Sequence, residues 1–176
     1  MVTERPDPER DALLITTFAP GLSQYLPNTA ALLGTANLVL HPAVERLILS
    51  GSRGLGGTPR PESDLDVSLI IAATSLPAAE PAREQLLRSV LEVTLSRWQG
   101  AVECDLAAIF PLHTCGLRCF AGLQHAPPPC AHPLGCRFGI FKLQKGFDGY
   151  VPWEGVDLKR LYPILEIWQS AGGPPS

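Results

Sequence analysis

Two short apolar runs dominate the pattern of hydrophobic and polar positions, one at residues 46–50 and one at 65–71, and each is long enough for a buried strand. The segment between them is rich in Gly, Pro, Ser and Arg, so it reads as a loop. In a strand over 65–71, the period of two places Asp64, Asp66 and Ser68 on one face and Leu65, Val67 and Leu69 on the other. Residues 81–98 carry the clearest helical period. Leu86, Leu87, Val90, Leu91, Val93, Thr94 and Trp98 form the inward stripe, while Arg83, Glu84, Arg88, Glu92 and Arg97 face water. Gly100 ends that helix. A third strand follows at 101–110, stopped by Pro111, and a short strand is expected at 139–143.

The flanks are less regular. Residues 1–10 read as a frayed polar terminus and 11–18 as a short helix. Pro20 and Pro27 limit the next segments to a turn or two, with short helices expected at 22–26 and 29–33. Leu13, Leu14, Phe18, Leu22 and Leu26 then serve as a cover on the core. His41-Pro42 marks a boundary, with a helical turn over 42–45 leading into the first strand. Residues 157–170 read as a closing helix despite Pro163, with Leu158, Leu161, Leu165 and Trp168 buried. Trp98, Trp153 and Trp168 are read as core anchors. Strand, loop, strand, helix, strand implies an α/β (α+β) fold, a small mixed β-sheet with helices packed on it. The whole chain, 1–176, is read as one domain: a helical cover (1–43), a central core (44–112), an irregular Cys/His/Pro-rich segment (113–150) and a C-terminal helix (151–176).

Length and composition agree with that reading. A chain of 176 residues with 45% hydrophobic content is globular, long enough for one domain with a real core and too short for two domains. A net charge of −3 supplies no basic field of the kind that dominates nucleic-acid binding, which makes nucleic acid the least favoured partner. No signal-like segment follows the polar start and no apolar run reaches membrane-spanning length, so a cytoplasmic protein is expected. Five cysteines, an odd number, fit free thiols or metal ligands better than a disulfide framework.

The chemistry gathers around the first loop. Two carboxylates on one strand face repel each other, and a hard divalent cation is the natural neutraliser. On the third strand Glu103 and Asp105 share a face, and either could complete a three-acid site for Mg²⁺ or Mn²⁺. The corner at Gly51, Ser52, Arg53 and Gly54 suits a phosphate chain. Glycine allows close backbone approach, turn N–H groups and the Ser52 hydroxyl donate, and Arg53 and Arg60 can offset charge.

A strand ending in Gly-Ser, then Asp-hydrophobic-Asp at the next strand, then a third acid on a later strand resembles the nucleotidyltransferase superfamily typified by DNA polymerase beta. The nearest likeness is to the small bacterial minimal and aminoglycoside nucleotidyltransferases, over roughly residues 44–110. Residue by residue, the resemblance implies that Gly51 and Ser52 hold nucleotide phosphates, that Asp64 and Asp66 bind metal, and that Asp105 activates the acceptor hydroxyl. Asp105 is preferred over Glu103 because apolar Leu106 follows it, as in the family pattern. The implied reaction moves a nucleoside monophosphate (NMP) group from a nucleoside triphosphate (NTP) such as ATP to an acceptor hydroxyl and releases pyrophosphate, with a protein partner or homodimer compatible with it. The Gly- and Pro-rich segment 54–63 departs from the family in shortening the helix expected after Gly-Ser.

Two other functions compete. One is an antitoxin-like or nucleotide-binding partner protein of the same fold with weak or no catalysis. The other is a zinc-stabilised interaction module built on His113, Cys115, Cys119, Cys130, His132 and Cys136. No CxxC pair occurs, and packed or loop cysteines are the commoner outcome. Lys142 and Lys145, the only basic residues near the last strand candidate after Arg137, could reach the triphosphate or pyrophosphate, and surface charge is the commoner role for such residues.

Overall fold

The computed structural model describes residues 11–112, 117–128, 138–152 and 161–170. Among the described residues, nine strands and three α-helices follow in chain order: β1 (Leu13–Leu14), α1 (Pro20–Tyr25), α2 (Pro27–Gly34), β2 (Val39–Leu40), β3 (Val44–Ser50), β4 (Leu65–Ile71), α3 (Glu80–Arg97), β5 (Cys104–Pro111), β6 (Leu123–Gln124), β7 (Phe138–Lys142), β8 (Gly149–Tyr150) and β9 (Ile164–Gln169). β1 and β2 pair alone; the other seven form one mixed sheet in the order β6-β9-β3-β4-β5-β7-β8. The fold is thus mixed α/β, as the alternation of elements predicts.

β3 and β4 lie at the centre because nearly every residue in them is buried, a pattern only a strand covered on both faces can satisfy. They pair antiparallel, whereas β4 and β5 pair parallel across the crossover helix α3. α3 begins on Glu80 and Pro81 and ends on Arg97, placing an acid at the positive end of its dipole and a base at the negative end. Leu87, Val90, Leu91, Val93 and Thr94 are its buried stripe.

The sheet separates two cores. One face carries Leu47, Leu49, Leu65, Val67, Leu69, Leu106 and Ala108 under α3 and the N-terminal helices. The opposite face carries Ile48, Ile70, Ile109 and Ile140, covered by Leu117, Phe120, Phe138 and Ile164. Arg46 pins this second cover. Its guanidinium donates to the Phe120 carbonyl at 3.2 Å and the Leu117 carbonyl at 3.1 Å, and pairs with Glu166 at 3.2 Å.

Several expectations are corrected. The segment 11–18 is not a helix: Leu13–Leu14 is a strand paired with Val39–Leu40, and Ile15 donates to the Leu38 carbonyl at 2.9 Å. The β-branched run Ile15, Thr16, Thr17 disfavours helix. Leu13 and Leu14 are exposed rather than part of the cover, while Leu22 is fully buried. Residues 42–43 form a turn, and the first sheet strand opens earlier, at Val44.

The larger correction is at the C-terminus. Ile164–Gln169 is strand β9, antiparallel to β3 and β6, where a helix over 157–170 is predicted. Pro163 cannot donate within a helix and clashes with its preceding turn, while Ile164, Ile167 and Trp168 suit a pleated surface. The short strand expected at 139–143 is β7, and the described residues of 113–150 add two further strands, β6 and β8. Residues 1–10, Trp153, Leu158 and 171–176 lie outside the described residues.

Candidate functional site

A row of three residues crosses the sheet on the second-core face. Ser50 is opposite Asp66 in the β3–β4 pair, and Asp66 is opposite Asp105 in the β4–β5 pair. Behind them lie Ile48, Ser68 and Ala107, so a polar rim passes within one residue step into apolar core. Asp64 stands two residues before Asp66, outside the strand, on the same face by the period of two. One carboxylate oxygen from each of Asp64, Asp66 and Asp105 lies within 4.8 Å of the others.

Glu103 is elsewhere. Its side chain is exposed, and its contribution is a main-chain carbonyl that accepts from Leu65 N at 2.9 Å. Because β5 starts at Cys104, Glu103 precedes the ladder, and Asp105 is the acid that meets the other two.

Gly51 turns the chain away from β3 with φ +76°. A Cβ on this residue would collide with the Asp66 carboxylate, so the backbone lies against the acid where no other residue fits. Gly54 N then donates to the Gly51 carbonyl at 3.0 Å and Gly57 N to the Gly54 carbonyl at 3.3 Å, giving two successive turns in place of a helix.

The two polar side chains of this corner do not enter the cleft. Ser52 is half-buried beyond Gly51, and it is Ser50 that lines the cleft. Arg53 is tied into its own loop. Nε donates to the Ser63 carbonyl at 2.7 Å, and one NH₂ group donates to the carbonyls of Arg60 at 2.9 Å and Pro61 at 3.2 Å. Thr29 on α2 donates to the Arg53 carbonyl at 2.7 Å and holds the loop to the helical cover. Arg53 is a brace for the loop, and Arg60 is exposed.

The cations at the site are lysines that the sequence reading assigned to the surface. Lys142, last residue of β7, places Nζ 3.0 Å from Asp105 Oδ1, and Lys145 in the next turn places Nζ 3.1 Å from Asp64 Oδ2. Between them Gln144 acts as a surrogate strand. Its Oε1 accepts from Leu106 N at 3.0 Å and its Nε2 donates to the Cys104 carbonyl at 2.9 Å, on either side of Asp105. β7 pairs with β5 from Ala108 onward, so this amide serves the β5 edge that β7 does not reach. The sequence signal was their position, as the only basic residues beside the short strand expected at 139–143 after Arg137.

Electrostatics follow from crowding. The Asp66 carboxyl is pushed up to about 6 by burial, then by the charges of Asp64 and Asp105 and a hydrogen bond shared with Asp105, with Lys142 opposing. Lys145 is raised by its hydrogen bond to Asp64 and by the charges of Asp64 and Glu103. Asp105 Oδ1 is fully buried and, although Lys142 is within ion-pair distance, it accepts no hydrogen bond of good geometry among the described residues. A carboxylate oxygen in that state suits a metal, which imposes no donor angle of the N–H kind.

The donor set fits a hard divalent ion. Three carboxylates and the surrounding water match Mg²⁺ or Mn²⁺, whose ligands lie about 2.1 Å from the ion and so at most about 4.2 Å apart, within a small closure of the spacing here. Ser50, Gly51, Ser68, Ala107, Lys142 and Leu161 complete a cleft of about 210 Å³ around Asp66 and Asp105, sized for an ion and phosphate oxygens rather than a whole nucleotide. The neighbouring thiol of Cys104 is buried and raised far above the ordinary range, so it packs as a small hydrophobe and is not a nucleophile.

Of the six proposed zinc ligands, Cys119 packs against the second core, and His113, Cys115, Cys130, His132 and Cys136 lie outside the described residues. No helix among the described residues is long and apolar enough to cross a membrane. Comparison with protein families, curated proteins and solved structures finds no match to this chain.

Proposed function

We propose that this chain is a metal-dependent nucleotidyltransferase that transfers an NMP group from an NTP to an acceptor hydroxyl. The observation that carries the reading is the convergence of Asp64, Asp66 and Asp105 beside a glycine corner whose backbone is pressed against Asp66. The same order of parts along the chain is what resembles the polymerase beta-like superfamily.

Asp64 and Asp66 would hold Mg²⁺ or Mn²⁺, with Asp105 shared between the ion and the acceptor. Bound there, the ion would polarise a phosphoryl oxygen and offset charge developing in transfer. The chain's own residues orient the rest. The acceptor oxygen bonds to the α-phosphorus, the bond from that phosphorus to the bridging oxygen breaks, and pyrophosphate departs with that oxygen. Asp105, opposite Asp66 on the next strand, would take or orient the hydroxyl proton. The backbone at Gly51 and the Ser50 hydroxyl face the phosphates, and the nucleoside extends beyond the cleft. Positioning and charge neutralisation supply most of the rate, as in phosphoryl transfer generally.

Incubation with each labelled NTP, Mg²⁺ and sets of hydroxyl acceptors (small molecules, protein side chains including its own, RNA ends) tests this reading through pyrophosphate release. Asp64→Asn and Asp66→Asn are expected to abolish release; unchanged release removes these residues from the mechanism. A partner protein of the same fold without catalysis is the second reading, favoured by one feature: Lys142 and Lys145 neutralise two of the acids from within the chain. Mg²⁺-dependent thermal stabilisation by an NTP without any transfer would select it.

A further inference from the structure

We propose that Lys142 and Lys145 are exchangeable counter-cations of the acid trio, which yield Asp105 and Asp64 to a divalent ion and then bind the polyphosphate that accompanies it. This rests on the metal reading above and adds to it a coupling between two ligands at one site.

The geometry supports exchange rather than a permanent bridge. Three carboxylates within 4.8 Å of one another carry more charge than two ammonium groups offset, so an added divalent ion is attracted. It would also repel the lysines, whose Nζ atoms sit at 3.0 and 3.1 Å from two of the same carboxylates. Each ammonium ends a flexible four-carbon stem and can swing away.

The backbone beneath those stems is held. Gln144 fixes the turn to β5 at Cys104 and Leu106, and Asp148 pairs with Arg88 on α3 at 2.7 Å. Arg88 lies over the Phe141 ring at 5.6 Å, securing the strand that carries Lys142. Displaced ammonium groups therefore stay within a stem length of the cleft, where an anion bound beside the metal is the available partner. Metal and anion thus favour each other's binding, and the ligand class is a di- or triphosphate held by the metal on one side and two lysines on the other.

Titration calorimetry of the full chain with Mn²⁺, alone and with inorganic pyrophosphate, tests the exchange. Lys142→Met and Lys145→Met are each expected to tighten Mn²⁺ binding at least about fivefold, the factor set by one unit-charge interaction at about 4 Å in water. Lys142→Arg keeps the charge and is expected to give no gain, which separates charge competition from loosening of the hairpin. At saturating Mn²⁺, both methionine variants are expected to lose pyrophosphate affinity.

Unchanged or weaker Mn²⁺ binding in both methionine variants, with binding by the parent chain that Asp66→Asn removes, overturns the exchange and leaves the metal reading standing. Tighter Mn²⁺ binding with pyrophosphate affinity retained overturns the anion half. Absence of Mn²⁺ binding by the parent chain overturns both.

Discussion

Asp66 and Asp105 face each other directly across a parallel strand pair, although 38 residues lie between them along the chain. Parallel pairing requires the α3 crossover, so the acid pair exists only because that helix returns the chain to the same edge of β4.

Asp66→Asn should stabilise the protein at pH 8 in metal-free buffer and make little difference near pH 4. The Asp66 carboxyl moves from 3.8 to about 6 on folding, so the folded state binds this proton more tightly. Its contribution favours folding at low pH and is lost as pH rises through about 6, a ceiling of roughly 3 kcal/mol that solvent screening lowers. Thermal melts of both proteins from pH 4 to 8 measure the difference; a gap that does not widen with pH contradicts the assigned environment.

Gly51→Ala should damage stability and metal binding together. The left-handed backbone costs an L-residue about 1 kcal/mol, and the added methyl meets the Asp66 carboxylate. Chemical denaturation and Mn²⁺ titration are the readouts. Gly56→Ala, also at positive φ but with open space at its Cβ, should show the backbone cost alone.

Gln144→Ala should expose the amide of Leu106 to exchange. That N–H donates to Gln144 Oε1, and losing two hydrogen bonds of this kind costs about 1–3 kcal/mol. Hydrogen–deuterium exchange is expected to rise at Leu106 while α3 stays protected. Unchanged protection of Leu106 would mean the hairpin is held by other groups.

Arg46→Met should destabilise by about 3 kcal/mol or more, since it leaves Glu166 largely buried without its 3.2 Å partner. It also frees the carbonyls of Leu117 and Phe120, so limited proteolysis should begin near residues 117–124. The paired change Arg46→Met with Glu166→Leu should recover part of the loss.

Much of the candidate site was readable because its signals are local. β4 falls on the expected residues 65–71, since seven consecutive positions suited to burial, with a loop before them, suffice to mark a central strand. The helix at 81–98 is found within one residue at each end for a similar reason. What was missed depended on partners distant in the chain. Leu161, Leu165 and Trp168 sit at spacings a helix could use, and only the open edge of β3 makes 164–169 a strand. Arg53 read as a phosphate ligand because its type and place fit, yet three loop carbonyls take its guanidinium.

The amino-acid sequence by itself determined that Asp64 and Asp66 share one face and that a Gly-Ser corner ends the preceding strand. The first follows from a two-residue period and the second from residue type, properties of a few adjacent residues. The tertiary structure decided that Asp105 rather than Glu103 joins Asp64 and Asp66, and that Lys142 and Lys145 neutralise them. The reason is register: β5 begins one residue after Glu103, and the Gln144 clamp hangs the lysine turn on β5 around Asp105. Such pairing energies belong to strands that the chain brings together only on folding.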